Sequence, residues 1–207
     1  MHLDLIIVGL GAMGSAALYQ AAKAGANVLG LDRYAPPHPF GSSHAETRIT
    51  RLAVGEGAQY LPFVSRTHDI WRDLAAETGQ QLLFQTGGYI VTVDDTNQTD
   101  TSHWDRFVER TAAIAKENNI PFERQTPADV RNRHPQMLID DDNNVGFEPN
   151  GGVVLCERAI ETQLRLACNL GAQTQLNETV IDVKFEPNSV TVITERDHYQ
   201  APYAIFT

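Results

Sequence analysis

The sequence predicts an α/β fold built on a parallel sheet, and three observations predict it. A short apolar run, Asp4-Leu5-Ile6-Ile7-Val8, is stopped by Gly9. An alanine-rich stretch with helical character follows, and a second apolar run over 27–32 ends in an acid. Apolar runs of this kind suit strands buried on both faces. Strand, helix and strand within about 30 residues make a βαβ unit, whose strands lie parallel.

The helix spans 14–24, with Gly25 as its stop. Residues 33–45 form a loop marked by Pro36, Pro37, Pro39 and Gly41. A second helix covers 61–78, its apolar stripe drawn through Phe63, Thr67, Ile70, Trp71 and Leu74, and Gly79 ends it. Two strands lie in 82–93 around Gly87-Gly88, and a polar loop covers 94–100. Ser102 with Asp105 forms a capping box for a helix whose apolar face carries Trp104, Phe107, Val108, Ile114 and Ala115. Thr126-Pro127 opens a short helix towards Arg133, and His134-Pro135 ends it. Residues 145–155, broken by Gly151-Gly152, read as paired short strands. A helix over 158–170 stops at Gly171. Strands over 180–186 and 190–194 join through Pro187-Asn188-Ser189, and 204–207 begins another apolar strand.

Composition narrows the function. The 207 residues carry 16 basic and 26 acidic side chains, a formal charge of −10. Such a chain lacks the basic footprint of phosphate-backbone binding, so nucleic acid is not its partner. Cys156 and Cys168 lack metal-ligand spacing. On or beside one helix they are separated by about 18 Å, too far for a disulfide. They read as reduced thiols that pack, in a cytoplasmic protein. Residues 5–22 are uncharged, but their spaced glycines with Tyr19 and Gln20 argue against a membrane span, and Asp4 argues against a signal peptide. The histidines include no i, i+4 pair, so no metal site is expected. Asp140-Asp141-Asp142 lacks the glycine and distal glutamate of a calcium loop. No G-x-S-x-G turn is present.

Gly9-Leu10-Gly11-Ala12-Met13-Gly14 matches G-x-G-x-x-G between the first strand and its helix. Gly9 permits the tight turn, Gly11 lets the backbone approach a pyrophosphate, and Gly14 allows helix and strand to pack closely. The helix start, with Ala12 and Met13, offers N–H groups and partial positive charge to phosphates. Asp32 ends the second strand, where a carboxylate accepts from a ribose diol and repels a 2′-phosphate. Arg33 follows it and is counted with the cofactor contacts. The motif marks a Rossmann-like dinucleotide-binding domain without separating FAD from NAD.

The segment 36–51, Pro-Pro-His-Pro-Phe-Gly-Ser-Ser-His-Ala-Glu-Thr-Arg-Ile-Thr-Arg, together with Gly55-Glu56-Gly57, resembles the monomeric sarcosine oxidase and N-methyltryptophan oxidase family. These are flavin amine oxidases of the D-amino-acid-oxidase group. Phe147-Glu148-Pro149-Asn150-Gly151-Gly152-Val153 is similar to a second stretch of that family. The resemblance implies FAD as cofactor and an N-methyl amino acid and O2 as substrates. The C–N bond is oxidised and O2 is reduced to H2O2. It also implies an α/β FAD-binding domain, 1–84 and 146–207, with an inserted α+β substrate domain, of which 85–145 is part. The full-length protein is expected to be monomeric.

By the same likeness Arg48 lies against the flavin ring and Arg51 clamps the substrate carboxylate, a task suited to the planar guanidinium fork. His44 contacts the flavin or braces its loop, and Ser42 sits near the phosphate or ring. Val180 packs its amide on adenine or is a plain strand residue. Ala45 stands where the family usually has glycine, and Val54 where it has an aromatic, so the substrate is left open. A dehydrogenase with another electron acceptor and a non-catalytic dinucleotide-binding module are the alternatives. The family's flavin-tethering cysteine and oxygen-activating lysine belong to a second half without counterpart in these residues. The chain therefore reads as an N-terminal portion, expected to fold poorly alone, bind FAD weakly and turn over little.

Overall fold

A computed structural model describes residues 2–93 and 106–207. It runs β1 (Leu5–Val8), α1 (Ala12–Lys23), β2 (Val28–Asp32), β3 (Arg48–Thr50), a 3-10 turn at Ala58–Tyr60 and α2 (Leu61–Thr78). Next come β4 (Leu83–Phe84), β5 (Gly88–Val93), α3 (Phe107–Glu117), β6 (Glu123–Gln125), α4 (Pro127–Arg133), β7 (Asn143–Glu148) and β8 (Gly152–Val154). α5 (Cys156–Asn169) leads into β9 (Gln173–Leu176), β10 (Val180–Glu186), β11 (Ser189–Thr194), β12 (His198–Ala201) and β13 (Tyr203–Phe206). Ser102, Trp104 and Asp105 lie outside the described residues.

The elements divide into two compact units, Met1–Thr47 with Leu155–Thr207, and Arg48–Val154. The breaks fall at 47/48 and 154/155, whereas the sequence reading sets its domain boundaries at 84/85 and 145/146. The difference has a register cause: β3 and β4 both pair antiparallel with β8, which holds residues 48–84 in the second unit.

In the first unit β13, β1, β2 and β9 form a parallel sheet in that order. Side chains alternate across it. Ile6, Leu29 and Leu31 pack on Val192 and Ala201 of the antiparallel sheet β10-β11-β12. Gly30, one residue out of phase, lies under Leu10 and Leu18 on the α1 side. α1 packs on α5, whose buried Cys156, Ala159, Ile160, Gln163, Leu166 and Ala167 recur at helical spacing. Both cysteines are free thiols, Cys156 buried and Cys168 exposed. The sequence reading missed β9 and β12, whose polar residues mask their alternation.

The second unit holds two three-stranded antiparallel sheets, β3-β8-β4 and β5-β7-β6. The stretch 145–155 is thus two strands, but they do not pair with each other: β7 pairs with β5 and β6, and β8 with β3 and β4. α2 has the predicted ends, but its buried residues are Leu61, His68 and Leu74, while Phe63 is 71% exposed. The stripe is rotated because His68, polar and so left out of an apolar count, is wholly buried and meets Thr50 Oγ1 through Nε2 at 2.8 Å. α4 starts in a full capping box, Thr126 with Asp129, and ends at His134 as read from sequence. Val130 anchors it on Ile139 and Val145.

Candidate functional site

A crevice of about 470 Å³ opens at the C-terminal ends of β1 and β2, where α1 begins. That volume falls within the range of small-molecule sites. Of the residues singled out from sequence, Gly9, Gly11, Ala12, Met13, Asp32, Arg33, Ser42 and Val180 line it. Gly14, His44, Arg48 and Arg51 are not among its lining residues.

The three glycines answer to different demands. Gly9 has φ 91°, and a Cβ there would lie 2.7 Å from the Thr207 carbonyl oxygen. A Cβ on Gly14 would lie 1.7 Å from the Gly9 carbonyl oxygen, so helix and strand meet backbone to backbone. Gly11 differs. Its φ is −68°, and a Cβ would meet only the Ser43 side chain at ordinary contact distance, 3.5 Å. Among the described residues nothing requires glycine at 11, and a backbone bare of side chain is what the close approach of a pyrophosphate would demand. The residues present fit an adenine dinucleotide.

Asp32 is buried within the wall. Its Oδ2 accepts from the Leu10 N–H at 2.7 Å and its Oδ1 from the Tyr34 N–H at 2.8 Å. The carboxylate therefore ties the glycine turn to the loop after β2. A carboxylate has about four lone-pair sites, so acceptor capacity remains for a ribose hydroxyl. His38 Nε2 lies 3.4 Å from Asp32 Oδ1. Its Nδ1 accepts from the Phe40 N–H at 3.3 Å, which puts the ring proton on Nε2. Arg33 lays its guanidinium over the Tyr34 ring, 5.5 Å from the centroid.

The loop after β2 closes over the helix start, where the Ala12 N–H donates to Ser43 Oγ at 3.2 Å. His44 braces this loop, its Nδ1 2.6 Å from the Gly41 carbonyl oxygen. Ala45 sits at φ 72°, the left-handed region that favours glycine. The Cys156 thiol donates to its carbonyl at 2.8 Å, and the Cys156 N–H to that of Glu46 at 3.2 Å. α5 thus holds down the far end of the loop.

Sequence reasoning missed Tyr34, His38, Ser43, Glu178 and Thr179 in this wall. The proline-rich loop signalled the first three. Glu178 had no local signal: it is buried, its N–H donates to the Asp32 carbonyl at 3.0 Å, and it accepts from Thr194 Oγ1 at 2.6 Å and the Tyr199 hydroxyl at 3.0 Å. Burial and the Glu178 carboxylate push the Tyr199 phenol up to about 12, so it remains a donor.

In the second unit Arg48 opens β3 and is exposed, while Arg51 follows β3 and is half-buried. Arg51 lines a cavity of about 190 Å³ with Ile49, Thr50, Tyr89, Phe107 and Glu148 among others. Its guanidinium lies 5.5 Å from the Phe107 centroid and is ion-paired with Glu56, and its Nε is buried with no hydrogen-bond partner among the described residues. Glu148, 1% exposed, accepts from the Leu52 N–H at 2.6 Å and the Ala53 N–H at 2.9 Å. Burial pushes the Glu148 carboxyl up, against the pull of those two bonds and of Arg51. Val54 is half-buried and outside the cavity lining. Among the described residues no helix is long and apolar enough to cross a membrane.

The chain is 35% identical over all 207 residues to N-methyl-L-tryptophan oxidase of Yersinia pestis (strain Pestoides F), covering 53% of that protein. The same figures hold for N-methyl-L-tryptophan oxidase of Yersinia pseudotuberculosis serotype O:1b (strain IP 31758). The chain spans about half the length of these relatives. Among solved structures, NikD, described as an unusual amino acid oxidase essential for nikkomycin biosynthesis, superposes with a TM-score of 0.85 at 23% identity over the whole chain and 51% of its own. L-proline dehydrogenase from P. horikoshii does so with 0.83 at 18%, over the whole chain and 52% of its own. Such identities establish the fold. The sequence pattern of the FAD dependent oxidoreductase family, DAO, matches residues 4–206, and the chain belongs to that family.

Proposed function

We propose that the protein carrying this chain oxidises the C–N bond of a secondary, N-methyl amino acid such as sarcosine or N-methyltryptophan, with O2 reduced to H2O2. The observation that carries the reading is Arg51. A half-buried guanidinium over an aromatic ring, lining a cavity with apolar neighbours, suits a small carboxylate beside apolar substituents. The 35% identity to N-methyl-L-tryptophan oxidases supports the substrate class.

Bound FAD would supply the two-electron redox chemistry that links oxidation of the C–N bond to reduction of dioxygen. The glycine turn, with Ala12 and Met13 at the helix start, would hold the pyrophosphate, and Asp32 would take the ribose. Arg33, Ser42 and Val180 complete the nucleotide contacts. By the family likeness Arg48 would supply positive charge for the flavin, Arg51 would hold the substrate carboxylate, and His44 would act through the loop it braces. The full-length protein is a cytoplasmic monomer in this reading.

The test uses the flavin-loaded full-length protein and a panel of N-methyl amino acids under air. Stoichiometric peroxide and loss of the N-methyl group are expected, with KM raised sharply in Arg51→Ala. Substrate-driven bleaching of the flavin without peroxide makes the protein a dehydrogenase. No bleaching by any secondary amino acid overturns the reading.

A further inference from the structure

We propose that Glu148 is a positioning residue for Arg51, setting the backbone from which the substrate-binding guanidinium projects. This inference rests on the reading of Arg51 as the carboxylate clamp. Glu148 closes β7, 97 residues beyond Arg51 in sequence. Its two carboxylate oxygens take one N–H each from Leu52 and Ala53, the two residues that follow Arg51. Those bonds are the bidentate grip of an anion on consecutive backbone amides, short and charge-assisted.

The surroundings make the grip directional. Ala53 is fully buried, so its N–H has no water to turn to if the carboxylate is lost. On the partner side Glu148 belongs to a strand paired on both edges, with Gly88 of β5 opposite it and Phe147 opposite Glu123 of β6. The carboxylate is therefore fixed by a sheet, and the segment after β3 is fixed by the carboxylate. Downstream, Gly55 lies where a Cβ would meet Thr111 Oγ1 at 2.3 Å and Phe107 at 2.8 Å. Arg51 itself lies between β3, held by its pairing with β8, and the gripped amides of Leu52 and Ala53, and its guanidinium lies over the same Phe107 ring. Glu148 and Arg51 also line one cavity. The buried negative charge faces the guanidinium without neutralising it through a direct bond, which Glu56 makes instead.

Removing the grip moves the guanidinium without removing it. A displaced fork that loses one charge-assisted hydrogen bond to a carboxylate binds it about 10- to 100-fold more weakly. Glu148→Gln keeps the shape but turns an N–H2 towards one of the two backbone N–H groups. In the flavin-loaded full-length protein, E148Q is expected to weaken acetate binding, read as a change in the flavin visible spectrum, about 10- to 100-fold. KM should rise by a similar factor, with flavin content and saturating kcat within about twofold of wild type. Glu148→Asp, which keeps the charge on a shorter arm, should fall between them. Where E148Q fails to accumulate, E148D carries the test, and a loss of at least about threefold in acetate affinity at unchanged flavin content is required of it. Wild-type acetate affinity in whichever variant folds overturns the inference. Wild-type acetate affinity in Arg51→Ala overturns the clamp reading beneath it, which separates the two failures.

Discussion

Gly11→Ala and Gly14→Ala are chemically the same change three residues apart, and the structure predicts opposite consequences for the stability of the apoprotein. At Gly14 the new methyl would sit 1.7 Å from the Gly9 carbonyl oxygen, and real contacts stop near 3.0 Å, so the helix start must retreat by at least 1.3 Å. Strain of that kind costs about 1–3 kcal/mol or more, against about 1 kcal/mol gained from alanine in a helix. G14A should lose both stability and flavin. At Gly11 the φ of −68° suits alanine and the nearest atom is at 3.5 Å, so the apoprotein keeps its stability or gains up to about 1 kcal/mol. On the dinucleotide reading the methyl would nonetheless occupy the path of the pyrophosphate. Losing one charge-assisted N–H bond to it costs about 1.5–3 kcal/mol, or about 10- to 100-fold in affinity. Denaturant midpoints of the flavin-stripped full-length protein, with titration of FAD back into it, measure both terms. G11A that is as stable as wild type and binds FAD equally well would refute the assignment of this crevice to the pyrophosphate.

Other outcomes follow from individual contacts. Glu56→Gln removes an ion pair whose side chains are 30% and 34% exposed, so stability should change by less than about 1 kcal/mol. Arg51 is released, however, and KM for an amino-acid substrate should fall; a raised KM in steady-state assays counts against the clamp. Thr126→Ala breaks the capping box of α4 and should cost about 1 kcal/mol by denaturant unfolding. His68 has its pKa lowered from 6.5, chiefly by burial. The unfolded chain therefore binds the proton more readily, and the stability that the neutral ring allows is lost as pH falls below 6.5. His68→Gln should flatten the acid limb of the melting-temperature profile, and parallel profiles for the two proteins would contradict the burial argument.

The parts of the fold that could be read from the chain are those whose information is local. The ends of α2 and the Thr126 cap each depend on residues within a turn or so of each other, and the βαβ unit on consecutive runs from Leu5 to Asp32. The glycine turn is legible because its positions join a strand end to the helix that follows it directly, where Gly9 takes a positive φ and Gly14 meets the Gly9 carbonyl. Strand partnership was not: β7 and β8 are separated by three residues yet pair in different sheets, because their partners lie dozens of residues away. No periodicity encodes that choice.

The polar residues tell more than the apolar ones. Asp32 was placed in the crevice wall by its position at the end of a strand, but its bonds to Leu10 and Tyr34 depend on how the turn and loop fold back over it. His68 and Glu148 were both passed over, the first inside an amphipathic helix and the second inside a motif valued for its family likeness. Each is a polar side chain at a position an apolar pattern would have filled, and each is buried with a partner near Arg51 in sequence, Thr50 for one and Leu52 and Ala53 for the other. A break in pattern that carries a desolvation cost must be offset by what it holds. Here both breaks hold the same stretch of chain, residues 50–53, from two different elements. That convergence explains why so short a segment, with only a three-residue strand behind it, can present a guanidinium in one place.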